Sequence, residues 1–276
     1  MTIAAAYLTS EGVVLGGDST TTISFPAQGG TPGVVVAQLL NHAQKVFEVG
    51  EKSRLGLCTY GSGSIKGVSH RTIAARLGDK IDQNVTTIEN AALLLEQLVV
   101  DAYNQQGDSG LVGYYLGGWD PVSHVPECIH LVFDNKGKLQ SKVKLRIGEA
   151  TFSGSPDYFS RVFRGFDPRF PQLLFDELVK IKGLPEGFQN DFEKAFIGVA
   201  QQLTAVGFSD LPIREAIDYI HTYLHITIKA AKFRYGPQPV GGPIEIAFIT
   251  TDRRFRWACH KSHSSAVFEQ EAPRHE

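Results

Sequence analysis

Residues 1–19 read MTIAAAYLTSEGVVLGGDS. Two apolar runs, 3–8 and 13–17, flank a polar turn at Ser10, Glu11 and Gly12, the pattern of a β-hairpin. A threonine directly follows the initiator methionine, the first strand begins at once, and the second closes on Asp18-Ser19. Chain ends are usually frayed and dispensable; this one runs straight into a strand. A small penultimate residue permits removal of the methionine, which would leave a hydroxyl and a free α-amine on Thr2. An α-amine has an ordinary pKa of about 7.7–8, so a useful fraction is neutral near pH 7. It can then take the proton of its own residue's hydroxyl. Such a nucleophile also needs a cation, an anion to orient that cation, and N–H groups for an oxyanion. Asp18, Lys45 and Gly61 are the candidates, each at the end of a predicted strand.

Outward from the hairpin, residues 20–44 carry the loop markers Gly29, Gly30, Pro32 and Gly33, with room for a short strand at Val34–Val36. KVFEVGEKSRLGLCTYG (45–61) reads as a second hairpin turning at Gly50. Apolar residues from Ile65 to Ile81 recur at helical spacing, and Thr86 with Glu89 fits a capping box ahead of a largely apolar helix. Strands are expected near 111–118, 128–134 and 139–147, then helices from about 156 to 233. The clearest, beginning PIREAI at Pro212, has Ile213, Ile217, Ile220, Leu224 and Ile228 on one stripe. Strands at IEIAFIT and 255–259 close the pattern. Runs of strands alternating with runs of helices predict a layered α+β fold.

Composition narrows the function classes. The 276 residues are 42% hydrophobic and 20% charged, with net charge −2, which gives no general pull toward nucleic acid or anionic lipid. No apolar run spans a membrane, the start lacks the features of a signal peptide, and Cys58, Cys128 and Cys259 are scattered like reduced thiols. The expectation is a cytoplasmic protein with no nucleic-acid or membrane partner, no cofactor and no metal. GSGSIKG lacks the ending of a phosphate loop, Cys259-His260 lacks a second ligand pair, and His221 with His225 lacks an acidic companion. The phenylalanines Phe170, Phe175, Phe188, Phe192 and Phe196 suit core packing first and a subunit interface second.

On the residues of the first hairpin, the chain resembles proteasome β-subunits and their bacterial HslV- and Anbu-type homologues, the N-terminal-nucleophile (Ntn) hydrolases. The spacing from Thr2 to Asp18 matches that family without a gap. KVFEV…RLGLCTYG is similar to its lysine strand, return strand and oxyanion glycine. VGYYLGGWDPVSHVPECIHLVFDNKGKL resembles its central hairpin, FSGSPDYF its glycine-serine-glycine turn, and GGPIEIAFIT its late strand. The resemblance implies one domain over 1–276, a four-layer αββα sandwich of two antiparallel sheets flanked by helices. Within it, the helical region about 165–210 would be enlarged and residues about 261–276 a polar tail. It implies Thr2 as nucleophile, Asp18 as partner of the lysine, Lys45 as the cation, Ser153 as the serine near the nucleophile, and the N–H of Gly61, or of Tyr60 one residue earlier, as oxyanion donor. It further implies cleavage of peptides or unfolded protein in a self-associating ring or stacked rings, with any ATPase partner unknown. The sequence departs from the family in three ways. Its usual second aspartate and serine fall on Pro237 and Val240, Ile3 follows the nucleophile where a hydroxyl residue is common, and the loop between Asp18 and Lys45 is longer. A silent ring subunit and a small-molecule amidase on the same fold are therefore the alternatives.

Overall fold

The computed structural model describes residues 2–26, 34–52, 54–83, 86–105, 109–154, 161–162, 165–167, 169–182, 188–203, 210–233, 238 and 240–261. Its strands are β1 Ile3–Leu8, β2 Gly12–Gly17, β3 Thr21–Pro26, β4 Val34–Leu40, β5 Val46–Val49, β6 Leu55–Gly61, β7 Ser64–Ile65, β8 Val68–Ser69, β9 Val112–Trp119, β10 Pro126–Phe133, β11 Leu139–Lys144, β12 Glu149–Gly154, β13 Glu245–Thr250 and β14 Arg256–Cys259. The helices are α1 His70–Ile81, α2 Ile88–Tyr103, α3 Phe170–Lys182, α4 Phe188–Leu203 and α5 Ile213–Lys232.

Two five-stranded antiparallel sheets form the centre. One has the order β12-β1-β2-β13-β14, the other β11-β10-β9-β6-β5. Alternation sends Ala4, Ala6, Leu8, Val13 and Leu15 of the first sheet inward to meet Val46, Cys58, Tyr115 and Cys128 of the second. The opposite face of β1 and β2, with Ile3, Ala5, Tyr7 and Val14, packs on Ile220, Tyr223 and Leu224 of α5. Helices α1 and α2 cover the outer face of the second sheet through Ile73, Leu77, Leu95 and Val99. The result is the expected α+β sandwich of four layers. Both faces of β1 and β2 are covered, so every residue of both strands is buried. Gly16 lets α5 approach: a Cβ there would stand 2.6 Å from the Ile220 side chain.

The structure corrects several local expectations. Helix α1 starts at His70, not Ile65, because Lys66 (φ 47°) and Gly67 (φ 84°) make a tight turn between β7 and β8. Ser69 then caps α1, its side chain accepting the Thr72 N–H at 3.0 Å. Helix α2 is capped by Thr87 rather than Thr86, accepting the Asn90 N–H at 3.2 Å, while the Asp120 carboxylate takes the Ile88 N–H at 2.8 Å. Residues 21–26 and 34–40, read as mostly loop, pair as a two-stranded ribbon. Strand β12 occupies residues 149–154 beside β1, where no strand was expected. Helices α3 and α4 pack on each other through phenylalanine rings, with Phe175–Phe192 centroids 5.6 Å apart and Phe170–Phe196 6.1 Å. They leave Phe170, Leu173, Ile197 and Val199 exposed.

Candidate active site

Thr2 sits at the mouth of the inter-sheet layer, and its neighbours are placed by sheet register. Ile3 lies opposite Gly154 and Ala4 opposite Ser153 on β12, while Ala4 lies opposite Gly17 on β2. Asp18 follows β2 directly, so the hairpin carries its carboxylate back to the start of β1. Lys45 immediately precedes β5 on the facing sheet, and its Cβ would lie 3.5 Å from a Cβ at Gly17. Gly16 thus admits a helix on one face of β2, and Lys45 lies over Gly17 on the other.

Asp18 is wholly buried and Lys45 is 7% exposed. One carboxylate oxygen, Oδ1, accepts the Thr2 hydroxyl at 3.0 Å, the Ile3 N–H at 3.1 Å and the Lys45 ammonium. The other accepts the Thr20 N–H at 3.2 Å and the Gly241 N–H at 3.0 Å. A buried carboxylate demands such a set, because each unfilled lone pair would add to its desolvation cost. Burial pulls Lys45 below lysine's ordinary pKa, and the Asp18 carboxylate opposes that pull. Lys45 is therefore a cation held by its partner in a site that disfavours charge.

The surrounding turns fix this arrangement. The Gly241 carbonyl accepts the Ser19 N–H at 3.0 Å and the Ser19 carbonyl accepts the Ala43 N–H at 2.9 Å. Gly242 takes φ 70°, and a Cβ there would lie 2.5 Å from the Asn41 carbonyl oxygen. Gly154, at φ 98°, passes so close to β1 that a Cβ would fall 1.6 Å from the Thr2 carbonyl oxygen. Only glycine accommodates that position.

Ser153 faces the inter-sheet layer on the same side as Ala4. Its hydroxyl lies 2.5 Å from the Tyr115 hydroxyl, and no hydrogen bond joins it to Thr2 among the described residues. Tyr115 stacks on His130 at 4.5 Å, and the His130 Nε2 lies 2.7 Å from the Tyr60 hydroxyl. Burial pushes His130 down to about 4, so the ring is neutral near pH 7. Gly61 ends β6 at φ 96°, exposed, where a Cβ would stand 2.3 Å from the Leu111 carbonyl oxygen. Tyr60, the other oxyanion candidate, points its ring at Gly113, which must lack a side chain to receive it.

The structure thus brings Thr2 and Lys45 together on Asp18, places Ser153 opposite β1 and sets Gly61 at the end of β6 on the facing sheet. Pro237 lies outside the described residues. Val240 is fully buried in the apolar layer under α5, where it offers nothing to an amine. Gly241 and Tyr115 escaped the sequence reading. A glycine that donates only its backbone carries no side-chain signal, and a tyrosine inside an apolar strand reads as core. Cys58 also lies near Lys45, but burial pushes its thiol up to about 12, so it is no thiolate nucleophile. His221 and His225 stack 5.8 Å apart on α5, with no cluster of three metal-ligating side chains among the described residues.

No protein-family description and no curated protein matches the sequence. Among solved structures, the chain is similar to the Anbu (Gly-1) mutant from Hyphomicrobium sp. strain MC1, with a TM-score of 0.53 and 13% identity over 98% of this chain and 91% of that one. Two facing sheets between helical layers, matched along nearly the whole chain, give this protein the four-layer αββα fold of that structure.

Proposed function

We propose that the protein is a threonine-type hydrolase of peptide bonds whose nucleophile is Thr2 once Met1 is removed. The observation that carries this reading is the Thr2 hydroxyl and the Lys45 ammonium meeting on one oxygen of the buried Asp18. Asp18 orients the lysine, and the lysine's positive charge favours the ionising hydroxyl and the neutral terminal amine. The Thr2 oxygen attacks the carbonyl while the freed amine accepts its proton. An ester forms at Thr2, the first product leaves, and water activated by the amine releases the second. The N–H of Gly61 is the proposed oxyanion donor. Ser153, held by Tyr115, is the hydroxyl proposed to attend the amine. Self-association into a ring or stacked rings and a cytoplasmic location belong to the same reading, as does an undivided domain over 1–276. With Met1 in place the residue has no free amine, so the unprocessed chain is inactive.

A second reading is a silent ring subunit. Val240 favours it, because a buried apolar side chain stands where the family carries a serine near the amine. Turnover of unfolded casein and of fluorogenic peptides by the Met1-processed protein decides the matter. Turnover abolished by Thr2→Ala supports the peptidase. Processed protein without turnover favours the silent subunit, and Thr2-dependent cleavage of non-peptide amides alone selects a small-molecule amidase.

A further inference from the structure

A second buried ion pair stands behind Lys45. Glu245 opens β13 opposite Gly17 and is fully buried. Its neighbour two residues on, Ala247, packs between the sheets, so alternation points Glu245 into the same layer. Lys261, 6% exposed, places its ammonium 3.1 Å from Glu245 Oε1, and the His260 Nδ1 lies 3.1 Å from the same oxygen. The Lys261 ammonium also donates to the Ala43 carbonyl at 2.9 Å, two residues before Lys45. Neither Glu245 oxygen makes a well-aligned hydrogen bond among the described residues. A carboxylate buried on such terms is costly, and it persists here against a cation that reaches on to the segment bearing Lys45.

We infer that Glu245 and Lys261 are positioning residues: the pair anchors the Ala43–Lys45 segment and supplies the negative charge that keeps Lys45 an ammonium. The inference rests on the role proposed above for Lys45. The groups facing Lys45 are Asp18 after β2, which also holds the Thr2 hydroxyl, Cys58 of β6 and Glu245 of β13. Those facing Glu245 are Lys45, Cys58, Cys259 at the end of β14, and His260 and Lys261 beyond it. Of these, Asp18 and Glu245 are the carboxylates. Asp18 is shared among five donors; Glu245 is not.

The two members of the pair predict opposite signs. Glu245→Gln removes an anion, so Lys45 loses its proton more readily and the alkaline limb of the rate moves to lower pH by about one unit. Lys261→Met leaves the anion uncompensated and moves the limb upward. The double variant falls between them. A pair that served packing alone would slow both variants without moving the limb in opposite directions. The rate to follow is acylation of Thr2 by a β-lactone in Met1-processed protein between pH 7 and 11.

Hydrogen exchange of residues 41–46 supplies a readout independent of reactivity. Lys261→Met is expected to speed exchange there at least threefold, and Lys261→Arg to restore it. Limbs that move together or not at all, with unchanged exchange, overturn the inference. If the wild-type protein takes no lactone, the peptidase reading fails and exchange alone decides the anchor. If Glu245→Gln does not fold, the upward limb of Lys261→Met and its exchange carry the test.

Discussion

Asp18 and Glu245 are carboxylates at the same end of one sheet, both with no exposed surface, and they are held by different means. Asp18 is surrounded by three backbone N–H groups, a hydroxyl and an ammonium. Glu245 has two cationic-type side chains near one oxygen and no well-aligned backbone donor. Backbone donors belong to the fold and cannot move without it. Side chains reaching in from beyond β14 can. The contrast separates a fixed centre, where the proposed chemistry needs geometry constant to a fraction of an ångström, from a supporting charge that acts at longer range.

The comparison breaks most severely at its fixed half. Asp18→Asn removes the one carboxylate in contact with the buried Lys45 ammonium, and an amide cannot accept where its nitrogen lies. The expected cost is about 3–5 kcal/mol of stability, read by urea unfolding. A variant as stable as the parent would mean that the pair contributes nothing to folding. Gly154→Ala comes next. It forces a Cβ onto the Thr2 carbonyl at a φ that L-residues avoid, and should cost about 1–3 kcal/mol and slow Thr2 acylation.

Smaller effects sharpen the contrast at the rim. Tyr115→Phe removes the partner of the Ser153 hydroxyl but neither buried charge. About 1 kcal/mol, or roughly fivefold in acylation, is expected, with thermal stability nearly unchanged. A hundredfold loss would make Tyr115 part of the fixed centre. His130 tests the same rim through pH. Its folded pKa of about 4 lies below the ordinary 6.5, so the unfolded chain binds more protons between those values. Stability from this residue is present above pH 6.5 and is lost as pH falls toward 4. His130→Gln should flatten that part of the melting-temperature profile; an unaltered slope would assign the loss to carboxylates.

Much of this was legible in the sequence. The alternation of residues 3–17, the fixed distance from Thr2 to Asp18 and the lysine opening a second hairpin are all local or strictly spaced. Those patterns made the three residues candidates, and the resemblance to a family with the same spacing implied that they meet. What stayed hidden depends on long-range register. Strand β12 is half-buried, carries the polar Thr151 and Ser153 and ends on an exposed glycine, so nothing in its pattern marks a strand until β1 pairs with it. The start of α1 was misplaced because a two-residue turn at Lys66-Gly67 interrupts an apolar spacing that reads as helical. Glu245 and Lys261 are sixteen residues apart and look like ordinary surface charges. Only the turn from β13 into β14 brings them together between the sheets. A buried ion pair is a property of packing, and no window of sequence displays it.

The central claim is that Thr2 is an activated N-terminal nucleophile. Intact-mass measurement before and after treatment with a threonine-directed β-lactone tests it most directly. The account predicts a chain lacking Met1 that gains one lactone mass, with no gain in Thr2→Ala. A retained methionine, or a processed Thr2 terminus that refuses the lactone, would contradict it.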